Sequence, residues 1–191
     1  LPESGKGKAD SLQPSIEKKL DDNSDYEIFT SVISKYTASP EVRMIVLEKL
    51  ITGYSQLRLV LKPDEIVLRL KNLGAGVECI KDFEEKNREL WEIQRQLDLK
   101  KKYAITTGES GRIREDMLNG VDGWNEFYKR FPESDGIYFL SRPGICEKGN
   151  KAVLLLAHSS SANAGWGTFI LLKRDNDKKW RVEDEDLIWV S

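Results

Sequence analysis

A single histidine, His158, stands directly before three serines, Ser159-Ser160-Ser161, in a chain of 191 residues. An imidazole next to hydroxyls suggests nucleophilic hydrolysis, in which the base takes a proton from the serine and a carboxylate orients the base. His158 and Ser160 are therefore candidate catalytic residues. Arg142, in the pair Ser141-Arg142, is a third, because a guanidinium fork suits an anionic group. Trp166 lies between Gly165 and Gly167 and is a candidate ligand-binding residue, an indole on a flexible rim. Each also has a purely structural reading. Successive strand side chains point to opposite faces, no G-x-S-x-G elbow is present, and a histidine hydrogen-bonded to backbone is the favoured role for His158. Arg142 would pair with Glu133, Asp135 or Glu147 and fix a strand-to-turn corner. The glycines around Trp166 would serve a bulge or hairpin turn while the indole closes the edge of the core.

Other chemistries find less support. Cys79 and Cys146 form no C-x-x-C pattern, and with one histidine they do not make a zinc site. They are expected as two unpaired, partly buried thiols, and whether they meet is left to geometry. Gly74-x-Gly76 follows a helical pattern and lacks the third glycine of a dinucleotide fingerprint, and Gly108-x-x-Gly111 has no following Lys-Ser/Thr. The acidic run Glu183-Asp184-Glu185-Asp186 lacks calcium-loop spacing and reads as a solvated turn. No cofactor and no metal are expected. The formal charge is −2, from 30 basic and 32 acidic side chains, so no long-range field announces nucleic acid, and none is expected as a partner. No apolar run is long enough for a transmembrane segment. The first residue is Leu1 rather than methionine, and a removed export signal would fit that.

The elements that must position these residues follow from periodicity. Residues 1–22 are rich in Gly, Pro, Lys, Ser and Asp and read as a disordered tail, with one domain over 23–191. Tyr26, Phe29, Val32, Ile33 and Tyr36 recur at helical spacing, with Asn23 or Ser24 as cap and Pro40 as stop. Residues 42–48 and 57–61 read as strands. Pro63 opens a helix with Ile66, Val67, Leu70 and Leu73 as its apolar stripe and Gly74 at its end. A further helix is expected from Cys79 to about Arg95, with Trp91 inward, and 103–107 read as a strand. Trp124, Phe127, Tyr128 and Phe131, at i, i+3, i+4 and i+7, give the strongest helical stripe, with Pro132 as its stop. Four aromatics on so short a helix require a large flat surface, most simply a sheet.

That sheet is expected from 137–140, 151–158, 166–173 and 180–190, separated by the turns Pro143-Gly144, Lys148-Gly149-Asn150 and Asp175-Asn176-Asp177. The short 175–179 connection makes its two strands antiparallel. Ala152-Val153-Leu154-Leu155-Leu156-Ala157 is apolar at both parities, so this strand is covered on both faces.

The series Trp124-x-x-Phe127, Phe131-Pro132-x-Ser134-x-Gly136, Ser141-Arg142-x-Gly144, Ala152-Val153-Leu154 with His158, Gly165-x-Gly167-x-Phe169 and Trp180-x-Val182 resembles a family of bacterial proteins of unknown function, many exported or lipid-anchored. Asp82-Phe83 with Lys86-Asn87 resembles an upstream element of that family. The chain departs from the pattern at Pro143, where members carry valine or a similar residue. It departs again at 159–164, where some members have cysteines, so no redox role for that loop is carried over. The resemblance implies a fold and an exported setting rather than a mechanism. The fold class expected is α+β, an antiparallel β-meander of four to six strands with helices mainly on one face and the 124–131 helix as main clamp. The function expected is that of a non-catalytic extracytoplasmic or cell-envelope domain acting through binding, with a protein as the candidate partner. The alternative is a small hydrolase or ligand-binding enzyme centred on the 158–167 loop.

Overall fold

A computed structural model describes residues 18–20, 22–51, 61–106 and 121–191. The expected strand at 57–61 falls outside these, apart from Leu61. Among the described residues, α1 (Asn23–Tyr36) is capped by Asp22, whose Oδ1 accepts the Ser24 N–H at 3.0 Å. The cap thus sits one residue before the expected one. β1 (Lys18–Leu20) lies inside the stretch expected as a tail and pairs in parallel with β4 (Trp91–Ile93). β3 (Leu50–Ile51) pairs antiparallel with the other edge of β4, completing a small sheet.

The main sheet runs β10-β9-β8-β6-β2-β5, with β7 also on β8. Its strands are β2 (Met44–Leu47), β5 (Lys102–Ile105), β6 (Ser134–Leu140), β7 (Gly144–Cys146), β8 (Lys151–Ser161), β9 (Ala164–Arg174) and β10 (Trp180–Val190). The α+β class is as expected, but the sheet is mixed rather than an antiparallel meander. β6 to β10 are antiparallel neighbours, whereas β2 runs parallel to both β5 and β6. The correction has a physical reason. Antiparallel neighbours joined by tight turns are visible locally, but a parallel neighbour arrives through a long crossover whose partner no local pattern names.

Both faces of β8 are covered, as its double apolar parity required. Leu154 and Leu156 pack with Ile28, Phe29, Val32 and Ile33 of α1. Val153 and Leu155, on the opposite face, pack with Ile66 and Leu70 of α2 (Pro63–Asn72) and with Ile80 and Phe83 of α3 (Val77–Lys86). α4 (Val121–Arg130) buries Trp124 and Phe127, with the following Phe131, against Met44, Val46 and Ile137. The aromatic stripe is therefore inside, but it clamps the β2–β6 part of the sheet and leaves the centre to α1, α2 and α3. Three further expectations change. α3 ends at Lys86, so Trp91 belongs to a strand and not to a helix. Gly144 opens β7 where a turn was expected. The acidic run Glu183–Asp186 is mid-strand in β10, with Glu185 paired to Lys35, and Asp186 to Arg69 at 3.1 Å.

Candidate functional site

The corner at Ser141-Arg142 is where the chain leaves β8 between β6 and β7, and side chains there replace the missing ladder. The Ser141 Oγ accepts the Leu155 N–H at 2.8 Å, which keeps a buried donor satisfied. Asn87, just past the end of α3, accepts the Arg142 N–H at 2.8 Å and donates Nδ2 to the carbonyls of Arg142 and Phe83, at 2.9 and 2.8 Å. Asp82 accepts the Ile145 N–H at 2.7 Å. A Cβ on Gly144 would collide with the Cys79 carbonyl and with Phe83, so only glycine allows α3 to lie this close. Asp82-Phe83 and Lys86-Asn87 thus meet Ser141-Arg142-x-Gly144 in space. Cys79 of α3 and Cys146 of β7 are disulfide-bonded across the same contact, with Cα atoms 4.8 Å apart. The expectation of two unpaired thiols is corrected, since spacing in sequence is blind to a packing that brings residues 67 apart together.

Arg142 itself is buried. Its Nε donates to Asp25 Oδ2 at 2.7 Å, an Asp22 oxygen lies 3.8 Å from a terminal nitrogen, and its guanidinium sits 4.2 Å from the Trp91 ring centre. The partner is none of Glu133, Asp135 and Glu147. It comes from the first turn of α1, 117 residues away. Asp25 has 0% exposure. Burial raises its carboxyl to about 6, against the opposing pull of Arg142.

His158 sits on the same face of the sheet as Arg142, four residues further along β8 than Leu154, which is roughly 13 Å of strand. Its ring is tilted against Tyr138 at 4.4 Å and Trp166 at 5.7 Å, and Trp166 stacks on Tyr36 of α1 at 5.6 Å. His158 Nε2 faces Asp135 Oδ2 at 3.8 Å, within reach of an ion pair but beyond a hydrogen bond. The Tyr138 hydroxyl donates to the same oxygen at 2.7 Å. Burial works to raise the Asp135 carboxyl, but His158 and Tyr138 outweigh it and hold it below its ordinary value. Burial, with Asp135 alongside, pushes the Tyr138 hydroxyl well above the usual phenol range. Gly136, at φ +138°, leaves room for this arrangement, since a Cβ there would stand 2.7 Å from His158 Nε2.

The candidates therefore do not converge. His158 and Trp166 touch, but Arg142 is spent on Asp25 at the other end of α1. The Ser160 hydroxyl donates to the Ala164 carbonyl at 3.4 Å, and the Ser160 carbonyl accepts the Tyr128 hydroxyl at 2.8 Å. The structural roles differ in part from those expected. Packing and a carboxylate hold His158, where a backbone bond was the favoured reading, whereas Trp166 packs partly buried against the edge of the core, as its structural reading had it. Sequence reading missed Asp25 and Tyr138, and it named Asn87 only as part of the family pattern. An acidic residue in a first helical turn, as Asp25 is, has an ordinary explanation in the helix dipole and does not by itself mark a buried pair.

A groove missed by composition lies beside α1. It is open, about 1250 Å³ in volume, and is bounded by α1, the 95–100 segment and the β9–β10 hairpin. Seven basic side chains line it against two acidic ones, Glu27 and Asp98. Three separate segments supply these cations, so no run in the sequence reveals them.

No protein-family model, curated protein or solved structure matches the chain.

Proposed function

We propose that this protein is a non-catalytic extracytoplasmic or cell-envelope domain that acts by binding, through the groove between α1 and the β9–β10 hairpin. The observation that carries the reading is a division of labour. Arg142 and Ser160 spend their polar groups on the fold, and His158 is held in an aromatic stack, whereas the groove presents exposed basic side chains around a concave surface. The Cys79–Cys146 disulfide supports an oxidising compartment, because such bridges persist outside the reducing cytosol. The resemblance to exported bacterial proteins points the same way, and the binding role is its complement.

A second reading, a small hydrolase at the 158–167 loop, draws on one feature: Asp135 beside His158 is the carboxylate–imidazole pair that such chemistry uses. Photo-crosslinking in the native host separates the two. A crosslinking residue at Thr30 or Lys178 should capture a partner reproducibly, and H158A or S160A should leave the cellular phenotype unchanged. Loss of phenotype in S160A, with the fold intact by circular dichroism, would sink the binding reading in favour of the hydrolase.

A further inference from the structure

Building on the reading of this groove as the binding site, we infer that its occupant is a short acidic polypeptide segment of a partner protein. The groove's basic excess is local, in a chain whose net charge is −2. Arg174 is committed to Glu27 at 2.9 Å, Arg181 to Asp175 at 3.0 Å, Lys35 to Glu185, and Arg95 to the Asn23 Oδ1 and the Tyr26 ring. Lys100, Lys178 and Lys179 are exposed and have no carboxylate within ion-pair distance among the described residues. The uncommitted charges are thus ammonium groups on long stems. Lysines act as point charges and tolerate anionic side chains at irregular spacing, without the fixed geometry an arginine fork imposes.

Shape points to a chain segment. A volume of about 1250 Å³ exceeds the usual small-molecule range of roughly 300–1,000 Å³. The α1 wall presents Thr30 and Ser34, short hydroxyls that let a backbone approach closely and offer it hydrogen bonds, while Ser31 donates to the Trp180 carbonyl at 2.8 Å. Charge also limits the length. Beyond Arg181, β10 carries no basic residue, so the cationic lining ends there. A long nucleic acid would run on past it, and an acidic segment that ends within the groove would not.

The test uses a fluorescein-labelled peptide of alternating glutamate and alanine, its glutamine counterpart, and an oligodeoxythymidylate of equal length, titrated against the full chain by fluorescence anisotropy. The glutamate peptide should bind, the glutamine peptide should not, and raising salt to about 0.5 M should abolish binding. The triple variant K100E/K178E/K179E, with its fold verified by circular dichroism, should weaken binding about tenfold or more. Absence of binding, or binding that survives the triple variant, overturns the inference and leaves the groove reading to the crosslinking result. Tighter binding of the oligodeoxythymidylate overturns it in favour of nucleic acid.

Discussion

Asp25 and Asp135 are two carboxylates that each face a basic side chain on the same side of the sheet, and their charged forms are pushed in opposite directions. Asp25 has no exposed surface. Desolvation therefore outweighs a 2.7 Å contact with Arg142. The Asp135 side chain keeps 31% of its exposure and accepts a hydroxyl from Tyr138, so its partners outweigh burial. An opposite charge nearby does not by itself decide a carboxylate's state. What decides is how much water it has lost and how many donors replace that water.

The sharpest way to break the comparison is to remove one half of the buried pair. R142M leaves Asp25 without its cation and should cost about 3–5 kcal/mol in urea unfolding, with much of that recovered in R142M/D25L. A loss under about 1 kcal/mol would show that the pair is solvated after all. Next in size is the covalent pin, which the His158 end lacks. Replacing both Cys79 and Cys146 by alanine releases a loop of 67 residues and should cost about 4 kcal/mol, read from the shift in denaturant midpoint.

The two carboxylates should also impose opposite pH slopes. Asp25 has a raised native value, so the native state holds its proton more tightly than the unfolded chain. Its contribution to stability is fully present below the ordinary 3.8 and is lost as pH rises through about 6. The change is on the order of 3 kcal/mol, and D25N should flatten it. Asp135 is lowered, so its contribution is present above 3.8 and is lost as pH falls through its native value. Partial exposure limits this smallest effect to about 1 kcal/mol or less, and D135N should remove only the acid limb. If D25N and D135N altered the same limb, the contrast between the two sites would collapse.

The sequence carried the fold unevenly. The α4 stripe of Trp124, Phe127 and Phe131, the doubly apolar β8 and the β9–β10 hairpin were legible, because each depends on neighbours a few residues apart. The parallel pairing of β2 was not, and neither was the end of α3. Asn87 stops that helix while clamping Arg142, 55 residues on, so the reason for its end lies elsewhere in the chain. The candidate site was legible only as residue types. His158, Ser160, Arg142 and Trp166 were singled out, yet their partners lie on other elements.

Sequence alone determined which surfaces had to be buried, since side-chain period and turn chemistry are local properties of the backbone. Only the tertiary structure decided that Arg142 meets Asp25, that Cys79 meets Cys146, and that three separate segments pool their lysines and arginines in one groove. Each of these depends on distances between residues far apart in the chain, and packing sets those distances once the elements have formed.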